Sequence, residues 1–203
     1  MATGSPPFDA VLAGMIEYIR SLQNPSSDTS ISIAVEILSR IRQLSWLYQN
    51  VTHLEGRVLA RHAALYGKTP ESDSLIVLFS LHDPTNAVQT PITMPEQLSA
   101  FGEAFYNCAY RLITLVDECQ SSLPKLRPIK ATGIRRVRNN LLVHANKKGG
   151  TEVNTFSVSN RSGLRLRPAS LVDEEPYLDE GLAANAMELL QQLNATLIAA
   201  NAA

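Results

Sequence analysis

Cysteine is scarce in this chain of 203 residues: Cys108 and Cys119 are the only two. Both fall in one expected helix, too far apart along its axis to pair, which excludes a disulfide scaffold. Reduced core thiols are the expectation. Aromatic residues are few, and there is a single tryptophan. Hydrophobic runs are short; none approaches the roughly 20 apolar residues of a membrane-crossing helix. The first residues, "MATGSPPFDA", have no basic region followed by an apolar run, so no secretory signal and a cytoplasmic location are expected. The common catalytic signatures are missing as well. There is no Gly-x-Gly-x-x-Gly, no phosphate loop, no Gly-x-Ser-x-Gly, and no cysteine, histidine or carboxylate set at metal-ligand spacing. No metal and no cofactor are expected.

What is present is helical periodicity. Val11, Leu12, Met15, Ile16, Ile19 and Leu22 recur at helical spacing and predict a first helix over about Phe8–Leu22. A second, from about Ser30 to Tyr66, carries Leu38, Ile41, Tyr48, Val51, Leu54, Val58 and Leu65 along its stripe. Only Gly56 interrupts it. Helices of this length imply a bundle of parallel and antiparallel neighbours. The run Leu75–Leu81 fits a short helix or a strand, with a lean towards helix. A third long helix follows Thr93 and Glu96, which stand in capping-box register. Its expected buried face is Phe101, Phe105, Cys108, Leu112, Leu115, Val116 and Cys119.

Pro124 and Pro128 then break the chain ahead of "RRVRNNLLVHANKKGG", Arg135–Gly150. After Gly149 and Gly150 the period changes to alternation. Phe156 and Val158 alternate with serines, Leu164 and Leu166 with Arg165 and Arg167, and "SNRSG" joins them as a β-hairpin. A closing helix from about Glu175 carries Leu182, Leu189, Leu190, Leu193 and Leu197. The expectation is one mainly α domain over 1–203, a helical bundle with a hairpin addition at about 151–168 and a closing helix at about 175–201.

Charge is uneven on a chain whose net charge is −1. Lys125, Arg127, Lys130, Arg135, Arg136, Arg138, Lys147, Lys148, Arg161, Arg165 and Arg167 make up eleven of the 18 basic residues, and Glu152 is the only acid among them. Such a zone on a near-neutral chain suggests a local anionic partner such as RNA, although a solvated face is the plainer reading. His53, Arg57 and Arg61 stack at i, i+4 and i+8 on the second helix, a solvated trio that could extend an anion-binding surface. His62, on the apolar stripe, suits packing, and His82 suits a surface loop.

His144 differs because of its company. Arg138, Asn139 and His144 form Arg-Asn-x4-His, which resembles the Arg-x4-6-His motif of the HEPN superfamily. The setting is similar too, with long helices first and the motif on a late helix of an all-α bundle. The resemblance implies a metal-independent endoribonuclease of a toxin or anti-phage defence system, working as a homodimer with both motifs facing one cleft. No nucleotidyltransferase-like segment shares this polypeptide, so an antitoxin or defence-system partner protein stays an open possibility. Other members of the family are non-catalytic binding modules, and that alternative stays open.

The chemistry suits the residues. Histidine has an unperturbed pKa near neutrality and can move a proton between the ribose 2′-hydroxyl and the leaving oxygen. Guanidinium matches phosphoryl oxygens in a bidentate way. Arg138, Asn139 and His144 are the candidate catalytic residues; Arg135, Arg136, Asn140, Lys147, Lys148, Arg165 and Arg167 are the candidate RNA-binding ones. Six positions place Arg138 and His144 roughly 120° apart on an ideal helix, so the helix ends before His144 or a second subunit completes the site. Arg136, Asn140 and His144 share one face, which makes Arg136 a rival phosphate ligand. The competing reading is a helix with satisfied structural arginines and an incidental histidine.

Overall fold

The computed structural model describes residues 6–22, 28–69, 94–123, 125–138, 154–160, 163–168 and 181–202, with backbone alone at 95, 154–157 and 166–168. Five helices and one hairpin follow in order: α1 (Phe8–Ser21), α2 (Asp28–Tyr66), α3 (Met94–Glu118), α4 (Thr132–Val137), β1 (Asn154–Ser159), β2 (Gly163–Pro168) and α5 (Leu182–Asn201). The molecule is mainly α, a helical bundle with a two-stranded antiparallel hairpin. The run Leu75–Leu81 and the Thr93 cap lie outside the described residues.

The 39 residues of α2 make a rod roughly 58 Å long, the spine of the bundle. Its core face is Ala34, Ile37, Ile41, Leu44, Leu47, Val51, Leu54 and Val58. α3 packs along it with Leu98, Phe105, Cys108, Ala109, Leu112 and Val116 buried. Phe101 meets Trp46, Phe105 meets Tyr48, and the Cys108 thiol lies 3.7 Å from the Arg40 carbonyl oxygen, so the two helices run antiparallel. α1 packs on α2 and α5, and its Val11 and Met15 join Leu193 and Leu197 of α5 in one continuous core. The Asn201 amide donates to the Gly14 carbonyl oxygen at 3.0 Å, tying the far end of α5 to α1.

The stripe expected on α2 extends further in sequence than in packing. Leu65 is 67% exposed and Tyr66 68%, whereas Val58 is buried. α2 overruns the start of α3, so the periodic leucine at 65 has no described helix to cover it. The rod ends where Gly67, at φ 73, donates its N–H to the Ala63 carbonyl oxygen in a left-handed cap. His62 reinforces that cap, its Nδ1 donating to the Lys68 carbonyl oxygen at 3.0 Å.

After α3 the chain turns through 119–123, burying Leu123, and over 126–131 it runs in neither helix nor strand with Leu126, Ile129 and Ala131 buried. Leu126 N still donates to the Leu123 carbonyl oxygen, but beyond it no helix or ladder takes the backbone donors, and side chains satisfy three of them. Arg127 N donates to Thr196 Oγ1 at 2.8 Å, Lys130 N to Gln192 Oε1 at 2.7 Å, and Ile129 N to Asp117 Oδ1 at 3.2 Å. This strap fixes where α4 begins. The hairpin pairs Phe156 with Leu166 and Val158 with Leu164, in the register that alternation predicts. It rests on α2, and β2 also touches α5.

Candidate functional site

α4 is short, and only its inward positions Ile134 and Val137 are buried. Successive helical residues point about 100° apart, so Arg135 and Arg138, three positions apart, share the side towards α3 while Arg136 points away from it. Arg135 turns to α3 and forms an ion pair with Asp117, whose other oxygen holds the strap at Ile129. The acid that the basic segment lacks in sequence is thus supplied by a neighbouring helix. Both partners are partly exposed, and the geometry binds strap, α3 and α4 together.

Arg136 turns the other way. It is exposed and lines a cleft of about 360 Å³ with Thr132, Gly133, Asn185 and Glu188. Asn185 is buried there and donates from Nδ2 to the Tyr106 hydroxyl at 3.0 Å. A Cβ at position 133 would stand 2.0 Å from Asn185 Oδ1, so only glycine lets α4 approach α5 this closely.

Arg138 follows α4 with helical dihedrals, φ −60 and ψ −47. Its guanidinium carbon lies 4.2 Å from the centroid of the Tyr110 ring on α3. Stacking of this kind fixes the plane of the guanidinium and directs its donors edgewise. Asn139, Asn140, His144, Lys147 and Lys148 lie outside the described residues, as does the side chain of Arg167. Arg165 is half-buried on β2. Of the candidate site, then, Arg135, Arg136 and Arg138 are gathered on one short segment but committed to three different surroundings.

Elsewhere, burial pushes Glu55 on α2 up to about 7 from an ordinary carboxylate value, partly opposed by the hydrogen bond it accepts from Leu164 N at 2.7 Å. Gly163, at φ 63, lets the hairpin turn come this close to the carboxylate. Burial likewise raises Glu103 on α3. His53, Arg57 and Arg61 are all exposed, as their spacing suggested. Among the described residues there is no group of His, Cys, Asp and Glu that could hold a metal, and no helix long and apolar enough to cross a membrane.

Sequence reasoning missed Tyr110 and Asp117, which hold Arg138 and Arg135. Neither carries a local signal, because each pairing crosses from α3 to α4. Compared with known proteins, the chain matches no family model, no curated protein and no solved structure.

Proposed function

We propose that this protein is a metal-independent endoribonuclease of the HEPN type, acting in the cytoplasm within a toxin or anti-phage defence system. The observation that carries this reading is Arg138, the first residue of Arg-Asn-x4-His, mounted on Tyr110. A cation that stabilises a transition state must be held before the reaction begins, and a stacked guanidinium on a bundle helix is held.

In this mechanism the 2′-oxygen attacks the adjacent phosphorus as His144 moves the proton. The bond to the 5′-oxygen breaks, leaving a 2′,3′-cyclic phosphate and a 5′-hydroxyl. Arg138 neutralises charge building on the phosphoryl oxygens, and Asn139 orients the phosphate. Arg136, exposed two residues earlier, is the second phosphate ligand. The alternative is a non-catalytic RNA-binding or interaction module, favoured by the ion pair that gives Arg135 a structural duty.

RNA incubated with the purified protein and EDTA decides between them. Prompt cleavage to cyclic phosphate ends is expected, with His144→Ala about 10²–10⁴-fold slower at nearly unchanged RNA affinity. Arg138→Ala lowers both rate and affinity, and Arg138→Lys rescues little because ammonium lacks the planar fork. Thermal melting of each variant separates a folding defect from a chemical one. Wild-type cleavage by His144→Ala overturns the assignment.

A further inference from the structure

The outward side of α2 has no part in the site above, yet it has a definite chemistry. At 100° per residue, Arg42, His53, Arg57 and Arg61 fall within a sector of about 100° around Trp46. All are exposed, and the strip runs for about 28 Å along the rod. The carboxylates of α2 lie off it: Asp28 is at the helix start, Glu36 is paired with Arg40 at 2.6 Å, and Glu55 faces the hairpin. Trp46, the chain's one tryptophan, is 56% exposed although large apolar rings are normally covered. It stands edge-on to Phe101, ring centroids 5.5 Å apart, which holds its plane. Beside it α2 and α3 enclose a groove of about 320 Å³, with Arg40 and Arg111 on its walls and Cys108 on its floor.

We propose that this face of α2, with the groove it shares with α3, is a track for single-stranded RNA, one base stacking on Trp46 while arginines of the strip and Arg111 hold phosphates. An exposed, oriented ring set among Arg42, Arg57 and Arg61, with Glu36 already engaged by Arg40 at the groove's edge, matches a polyanion whose flat bases are available for stacking. A duplex keeps its bases stacked on each other and offers no face to Trp46. On α3, Asn107 is a helical neighbour of both Arg111 and Tyr110, the ring beneath Arg138, and Asn107 and Arg111 are exposed. The choice of RNA among polyanions rests on the ribonuclease reading; the stacking subsite rests on Trp46 and its cations.

A lone tryptophan makes the test direct. The full-length protein is titrated with a short single-stranded 2′-O-methyl oligoribonucleotide of mixed sequence, which lacks the attacking hydroxyl and stays intact. Trp46 emission is read in parallel with the anisotropy of a fluorescein-labelled copy. Emission quenched along the same curve as the anisotropy is expected. Affinity falls about 5-fold or more in Trp46→Ala and is largely kept in Trp46→Phe. Arg57→Ala/Arg61→Ala flattens the slope of log affinity against log salt by about 1.4, roughly 0.7 per lost phosphate contact. Binding by anisotropy with unchanged Trp46 emission, and wild-type affinity in Trp46→Ala, overturns the track. Equal quenching by duplex RNA overturns it as well. An emission change that follows protein concentration without RNA assigns the groove to a second copy of the chain and overturns it too. Cleavage of unmodified RNA is scored separately, so an intact nuclease with a silent Trp46 sinks only the track.

Discussion

Glu55 shows how one side chain can make an attachment depend on pH. Its carboxylate accepts the Leu164 N–H at 2.7 Å, and burial raises its pKa to about 7. Tyr48 is in the same neighbourhood, raised by its own burial and by the charge of Glu55. The proton is held more tightly by the folded protein than by the unfolded chain. Stability contributed by protonated Glu55 is therefore full below the ordinary value of 4.5 and is lost as pH rises towards 7. Glu55→Gln keeps a carbonyl oxygen for Leu164 but cannot ionise. Compared with the variant, the wild-type protein is expected to lose on the order of 3 kcal/mol between about pH 4.5 and pH 8. Parallel melting curves across that range check this, and parallel pH profiles for the two proteins would remove Glu55 as the cause.

At the scale of the element, α2 combines a strong core face with one weak link. Gly56 lies in the helix interior at an exposed position, and a Cβ there would meet nothing within 4 Å. Glycine gives the unfolded chain more freedom to lose than alanine does, and no close approach requires it here. Gly56→Ala is expected to raise stability by about 1 kcal/mol in urea unfolding. A destabilised variant would mean that something covers this face of the helix. Gly133 is the opposite case, since the short helix α4 can lie against Asn185 only without a side chain. The two glycines look alike in sequence; what stands beside each decides its role.

At the scale of the whole molecule, the bundle presents Arg138 on one short segment while α2 runs past the start of α3. Arg138 and His144 are separated by six positions, which converge poorly within one continuous helix. The ribonuclease reading therefore carries an assembly, a symmetric dimer whose axis lies near Arg138 and brings two motifs to one cleft. Light scattering at micromolar concentration is expected to give twice the chain mass. A strict monomer with full cleavage activity would remove the second subunit from the mechanism and require the chain to turn back locally between Arg138 and His144.

The helices and the hairpin were legible because their signals are local. Val11 and Met15, Phe105 and Leu112, or Val158 and Leu164 declare a period within a few residues, and each of these side chains is buried. The basic zone and the Arg138-Asn139 pair were equally visible as spacing. What each arginine does was not. Arg135 finds Asp117 across 18 residues, Arg127 N finds Thr196 across 69, and Leu164 N finds Glu55 across 109. Such pairings depend on which helix faces which, and no window of sequence carries that. Leu65 makes the same point from the apolar side: its period is correct, but burial needs a neighbour long enough to reach it. Periodicity alone determined which elements form and which side of each seeks the core. Packing alone decided which charges are paired within the fold and which, like those around Trp46, are left facing solvent.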